Sequence, residues 1–225
     1  MTPAEYSLLA LRTENSPTFV HLAGVPDVRM SRLLHAAIGI CTETGELLEV
    51  LRYAIVHETP LEATSMREEA GDLFWYLALA GDALGLAPGK IFGDLHLPTH
   101  PEGPRPVFPG DALESLSRLG VETGKLQDIL KRTFVYGKDF EPVRFENELR
   151  ALSVAVEDVL YMGGDTVPAT MEANIAKLET RYRSKAFTEG EATTRDLDAE
   201  RAALTSGAPP AQTASAPVPT SRPRE

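Results

Sequence analysis

Four acidic side chains are spaced so that they could meet at one point. Glu43 and Glu46 lie three residues apart in ETGELLEVL, and Glu69 and Asp72 lie three residues apart in EEAGDLFWYLALAGDAL. Residues at this spacing share one face of a helix, so two antiparallel neighbouring helices would bring both pairs together. Converging carboxylates repel one another and are costly to bury unpaired. Mg²⁺ resolves that conflict, because it prefers oxygen ligands and completes its shell with water and phosphate oxygens. The spacing therefore predicts a magnesium site suited to phosphate chemistry.

The ordinary alternative is that these acids lie on solvated helix faces, as most Asp and Glu residues do. Two features favour the metal site. Asp72 leads directly into the apolar stretch LFWYLALAGDAL, and Glu46 is followed at once by two leucines. Carboxylates at the margin of a buried face need a partner, and neither Lys nor Arg lies one helical turn from Asp72 in the sequence. We expect a metal ion to be that partner.

The elements that must position these acids are helices. Apolar residues recur at helical spacing almost throughout, and short alternating runs separated by tight turns do not occur, so the predicted fold class is all-α. Helices are predicted over 2–14, 31–57, 64–84, 112–134, 141–162 and 168–183. Thr59-Pro60 should end the second helix, because proline cannot continue one, and Gly85 should end the third. The Pro/Gly-rich segment 95–110 is predicted to be a linker, and the Ala/Pro/Ser/Thr-rich segment 205–225 a disordered tail.

The tripeptide Glu-Thr-Gly occurs twice, at 43–45 and at 122–124, and an offset of 79 residues aligns 43–73 with 122–152 without a gap. Leucines, a valine and a glutamate coincide along this alignment, which predicts a duplicated helical unit. Two of the four acids are among the positions that differ: Glu46 corresponds to Lys125 and Asp72 to Ala151. The predicted layout is a metal-bearing half at 1–94, the linker at 95–110, a degenerate half at 111–204 and the tail at 205–225.

Composition narrows the function classes. A formal net charge of -11 disfavours a nucleic-acid groove, which needs clustered Lys and Arg. The single cysteine, Cys41, excludes an internal disulfide, and we interpret it as a small buried thiol. No apolar run is long enough to span a bilayer, and the first residues lack the layout of a secretory signal. We therefore expect no nucleic-acid or membrane partner and a cytoplasmic location.

The order of these motifs resembles the MazG-like, all-α nucleoside triphosphate pyrophosphohydrolases, most closely the small phage-encoded members. The fairly specific part is ExxE, a spacer of about twenty residues, then EExGD before an aromatic apolar helix. EYSLLALRTE, ANIAKLETRYRSKAF and RDLDAERAAL are also similar. The resemblance implies a four-helix-bundle core in which the acid pairs bind Mg²⁺, with Mn²⁺ as a substitute. It also implies that an activated water attacks the α-phosphorus, giving the monophosphate and pyrophosphate, in the host cytoplasm if a phage encodes the chain.

The chain departs from the family layout in a complementary way. The first half keeps the acids but has Val-His-Glu-Thr where the second has Val-Tyr-Gly-Lys, and it reaches the linker before any N-x-x-K-x-x-x-R-Y segment. The second half has lost two acids but keeps that segment at 174–182. Single-domain members of the family dimerise, so we interpret this chain as a fused pseudo-dimer, and a homodimer of pseudo-dimers is compatible with that.

The hypothesis is one composite active site per chain. Its predicted metal ligands are Glu43, Glu46, Glu69 and Asp72, with Glu46, or else Glu43, accepting a proton from the attacking water. The predicted substrate contacts from the second half are Lys131, Lys138, Asn174, Lys177, Arg181 and Tyr182. A catalytically weak nucleotide-sensing or protein-binding module on the same fold is the alternative, and a purely structural helical protein is a third reading.

Overall fold

The computed structural model describes residues 1–14, 27–59, 61–92 and 109–205. Every regular element in these ranges is helical, so the all-α prediction is confirmed. The eight α-helices of the described ranges are α1 (Pro3–Ala10), α2 (Val28–His57), α3 (Ala63–Ala83), α4 (Pro109–Phe134), α5 (Pro142–Met162), α6 (Val167–Arg181), α7 (Glu189–Thr193) and α8 (Leu197–Thr205). Most of the predicted linker and nearly all of the predicted tail lie outside the described ranges.

Helix ends follow local chemistry. Asp27 caps α2 by accepting a hydrogen bond from the Arg29 amide, and Glu62 caps α3 by accepting from two amides of the first turn. α2 ends at His57, as predicted, and Glu58 then adopts a left-handed conformation with φ 52°. Gly85, with φ 78°, follows α3 and supplies the positive φ that ends it. These caps fix where the two acid-bearing helices begin and end.

Three expectations from the sequence need correction. The first predicted helix, over 2–14, is shorter: α1 stops at Ala10 and a 3₁₀ turn covers Leu11–Thr13. The two short helices α7 and α8 were not predicted as helices. Little of either helix is buried: only Glu200 and Leu204 of α8, and no residue of α7. Cys41, expected to be buried, is exposed.

A pair of helices from each half forms the core. α2 packs on α3, α4 packs on α5, and α2 and α3 contact α4 and α5 respectively. α3 lies at the centre, with α1 and α6 also packed on it, which explains why its apolar residues occupy nearly its whole circumference. One continuous hydrophobic cluster runs through all these helices. None of the helices in the described ranges has the length and apolar content that a bilayer crossing would require.

Two observations are compatible with the 79-residue offset. α3 and α5 are both 21 residues long, and their bounds differ by that offset at each end. The hydroxyls of Thr44 and Thr123, which the offset pairs, are 3.0 Å apart and buried between α2 and α4. Equivalent residues meet in this way when two similar units pack about an approximate two-fold axis. Gln127 follows Thr123, and its side chain donates to the carbonyl of Ala37, which precedes Thr44. The two contacts together show that α4 runs antiparallel to α2. The duplication itself stays a prediction.

Candidate metal centre between two helices

The first acid pair lies on α2 and the second on α3. The connection between these helices, residues 58–62, is short, so they pack as antiparallel neighbours. Glu43 lies one residue before the buried Thr44, and Asp72 lies between the buried Gly71 and Leu73. Because these neighbours are buried, the carboxylates lie at the edge of the contact between the two helices, next to solvent.

Three of the four predicted ligands converge. Single carboxylate oxygens of Glu43, Glu69 and Asp72 all lie within 4.8 Å of one another, and each residue is half-buried. We call this set the acid cluster. Glu46 is exposed and lies outside the set, but its charge acts on both Glu43 and Glu69. The predicted convergence is therefore observed for Glu43, Glu69 and Asp72, with Glu46 at its edge.

The acid cluster is strongly electronegative. Burial, then the charges of Asp72 and Glu46, raise the pKa of Glu43 to about 7. Burial and the same two charges raise the pKa of Glu69 to about 8. Tyr76, one turn after Asp72, has its pKa raised to about 12 by burial and by Glu43. At neutral pH, protons on Glu43 and Glu69 relieve the repulsion, and a bound divalent cation would displace them.

Neither Lys nor Arg lies one helical turn from Asp72 in the sequence, yet another helix supplies a cationic partner in addition to any metal ion. The Lys177 ammonium, on α6, lies 2.7 Å and 2.6 Å from the two carboxylate oxygens of Asp72. The Asn174 side-chain amide donates to Asp72 at 2.8 Å. Lys177 and Asn174 are fully buried. Sequence reasoning missed this pairing because it joins residues 105 positions apart through tertiary packing alone.

A buried polar network supports this pairing from α1. The Tyr6 hydroxyl lies 2.9 Å from the Asn174 side-chain oxygen and 3.0 Å from the Gly71 carbonyl oxygen. A Cβ at Gly71 would come within 2.9 Å of the Asn174 Cβ, so glycine permits the close approach of α3 and α6. Asp72 is thus held in one orientation by side chains from two other helices.

The remaining predicted substrate contacts are dispersed. Arg181 pairs with Glu200 of α8, and Tyr182 is buried with its ring centroid 5.7 Å from that of Phe187. Lys131 is exposed and pairs with Asp128 on its own helix, and Lys138 is exposed in the turn after α4. The structure therefore brings Asn174 and Lys177 to the acid cluster, as parts of its support. Substrate contact stays a prediction for the whole set of six residues.

The equivalent place in the second half holds a lysine. Lys125, which replaces Glu46, lies 2.9 Å from a carboxylate oxygen of Glu122 and 3.5 Å from one of Glu148. The 79-residue offset pairs Glu122 with Glu43 and Glu148 with Glu69. We call this set the lysine-filled site. The three-residue spacing of Glu122 and Lys125 could have revealed it from the sequence, since such pairs share a helix face.

The acid cluster fits a hard divalent cation. Its donors are carboxylate oxygens, which Mg²⁺ and Mn²⁺ prefer, and its second-half counterpart already holds a positive group between equivalent glutamates. No family model matches this chain, and neither a curated protein nor a solved structure matches it. The resemblance to MazG-like enzymes therefore rests on the motifs quoted above.

Proposed function

We propose that this chain catalyses Mg²⁺-dependent hydrolysis of a nucleoside or deoxynucleoside triphosphate to the monophosphate and pyrophosphate, at one composite site per chain. The observation that carries the proposal is the acid cluster, in which three carboxylates on α2 and α3 come within 4.8 Å of one another. Folding alone does not favour such convergence, so a cation ligand is its simplest physical explanation.

Glu43, Glu69 and Asp72 would hold the ion, with Glu46 at the open edge. When bound, Mg²⁺ supplies positive charge beside phosphate oxygens and lowers the pKa of water. Glu46 is exposed, so it can reach a water molecule outside the cluster and accept its proton. Lys177 and Asn174 would keep Asp72 oriented through their hydrogen bonds, as outer partners of ligating carboxylates do. Exposed lysines such as Lys131 and Lys138 would bind the phosphates.

One observation favours the alternative of a nucleotide-sensing module without catalysis. Asp72 already has a cation, because the buried Lys177 ammonium contacts both of its carboxylate oxygens. If that ion pair persists when nucleotide binds, the site has one ligand fewer for a metal ion. Binding without hydrolysis would then be the outcome.

Pyrophosphate release separates the two functions. Wild type, Glu46→Gln and Asp72→Asn are incubated with a panel of ribo- and deoxyribonucleoside triphosphates and Mg²⁺, and released pyrophosphate is measured. Glu49→Gln is the matched control, because Glu49 is an exposed glutamate on the same helix, α2. We expect both site variants to lose turnover and the control to keep it. Full turnover in both site variants would refute the assignment, and nucleotide-dependent stabilisation with no pyrophosphate in wild type would support the sensing module.

A further inference from the structure

Two arginines outside the acid cluster converge on one carboxylate. Arg181, on α6, donates to Glu200 at 3.2 Å and 2.7 Å, and Arg195, just before α8, donates to it with the same two distances. Each guanidinium therefore makes a two-pronged contact with the same two oxygens. This fork geometry recognises phosphate as well as carboxylate.

The two guanidinium groups share one hydrogen-bonded carboxylate, and the more distant charge of Asp72 acts on Arg181. Glu200 carries one negative charge between two guanidinium groups. Burial by itself would raise the pKa of Glu200, but the hydrogen bonds from Arg181 and Arg195 hold it at about 2, so the carboxylate is ionised. A phosphate monoester carries between about −1.5 and about −2 at neutral pH and offers three acceptor oxygens. A phosphate group would therefore satisfy the two arginines better than Glu200 does.

The helix that carries Glu200 buries little apolar side chain. Of the nine residues of α8, only Glu200 and Leu204 are buried, although the helix packs along α6. Two polar contacts also join it to α3 and its cap: Arg67 donates to the Leu204 carbonyl at 2.9 Å, and Arg201 donates to Glu62 at 3.0 Å on the exposed surface. A short helix with so little buried apolar surface opens locally at low cost.

One of the two arginines, Arg181, is close enough to the acid cluster to feel its charge. Arg181 follows Lys177 by four residues on α6, so their side chains lie on one face of that helix. Lys177 contacts Asp72, and the charge of Asp72 also acts on Arg181. An anion held by Arg181 would therefore lie on the side of the acid cluster from which α6 approaches.

We propose that Arg181 and Arg195 form a phosphate-binding site that the carboxylate of Glu200 occupies in the absence of ligand, and that phosphate displaces α8 from it. Glu200 then acts as an internal competitor. The apparent affinity for phosphate is lowered by the fraction of molecules in which Glu200 fills the site. This inference does not require the proposed hydrolysis.

The test is isothermal titration calorimetry. Inorganic phosphate is titrated into the full chain after treatment with a chelator. Glu200→Gln keeps the size of the side chain and removes its charge, and Asp198→Asn removes an exposed charge from the same helix as the control. We expect Glu200→Gln to bind phosphate about tenfold more tightly than wild type or more, since the competitor is weakened. Asp198→Asn should bind as wild type does, and adding Arg195→Ala to Glu200→Gln should abolish the gain. Equal affinity in wild type and Glu200→Gln would overturn the proposal.

A second measurement keeps the proposal testable if Glu200→Gln does not fold. Amide hydrogen exchange of α8 is followed in wild type as phosphate is added, with chloride at the same ionic strength as the control. We expect phosphate alone to speed exchange in α8 while α3 stays protected. Unchanged exchange in α8 at phosphate concentrations that saturate binding would overturn it. Because neither experiment contains metal or nucleotide, failure here leaves the proposed hydrolysis untouched.

Discussion

The acid cluster of the first half and the lysine-filled site of the second occupy places that the 79-residue offset pairs, yet the negative charge of their carboxylates is compensated in different ways. In the second half, Lys125 lies between Glu122 and Glu148 and neutralises them from within. In the first half, Glu46 stands at the position of Lys125 and adds a negative charge to Glu43, Glu69 and Asp72. Lys177 compensates only part of that charge, through Asp72. If the proposed metal site is correct, the first half takes an external cation where the second carries its own.

The largest effect should come from giving the first half the residue of the second. In Glu46→Lys, the new ammonium would lie among Glu43 and Glu69 as Lys125 lies among Glu122 and Glu148. We expect the affinity for Mn²⁺ to fall at least about 100-fold, because a negative charge near the ion is replaced by a positive one. The melting temperature in chelator should rise, since the internal cation relieves repulsion.

Glu49→Lys is the control for this substitution, because Glu49 is exposed on the same helix. Mn²⁺ titration monitored by melting temperature is the measurement. If Glu46→Lys responds to Mn²⁺ as wild type does, the comparison between the two sites fails.

The converse exchange should produce a second metal site. Lys125→Glu combined with Ala151→Asp restores to the second half the acidic residues that the 79-residue offset predicts. We expect the number of Mn²⁺ ions bound per chain to roughly double, because a second set of carboxylates then lacks an internal cation. Equilibrium dialysis with Mn²⁺ measures this number. An unchanged number in a folded double variant would show that the helical scaffold of the second half no longer supports a metal site.

Patterns in the sequence predicted most of the helices but only some of the contacts that distinguish the two sites. The helix containing Glu43 was predicted to end at His57 and does so, and α5 was predicted within one residue, because apolar periodicity, caps and prolines are local signals. The convergence of Glu43, Glu69 and Asp72 followed from spacing on two helices joined by a short connection. The pairing of Lys177 with Asp72 did not, because it depends on how α6 docks against α3, which no local pattern specifies.

A smaller effect should appear in the pH dependence of stability without metal. Glu43 and Glu69 have pKa values of about 7 and about 8 in the folded chain, against 4.5 when unperturbed. Between these values Glu43 and Glu69 hold more protons in the folded state than in the unfolded state, so these two groups make the free energy of unfolding fall as pH rises from about 4.5 to about 8. Glu46, Glu68 and Asp72 strengthen this trend, and Lys177 opposes it.

Melting temperature measured in chelator across this range checks the pH prediction. Glu43→Gln combined with Glu69→Gln should flatten the profile, because neither side chain then titrates. Saturating Mn²⁺ should flatten the wild-type profile as well, since the ion takes the place of the protons. If stability in chelator falls with pH no more steeply in wild type than in the double variant, the electrostatic account of the acid cluster is contradicted. The comparison with the variant is needed because burial lowers the pKa of His35, which acts in the opposite direction in both proteins.

Metal binding by Glu69→Gln, set beside Glu148→Gln, tests the central claim most directly. The two glutamates are equivalent under the 79-residue offset and lie on α3 and α5 at corresponding positions. Mn²⁺ is titrated by calorimetry into chelator-treated wild type and each variant. The account predicts that Glu69→Gln loses binding while Glu148→Gln binds as wild type does, because only the first half takes an external cation. Wild-type binding by Glu69→Gln, or equal losses in the two variants, would contradict it.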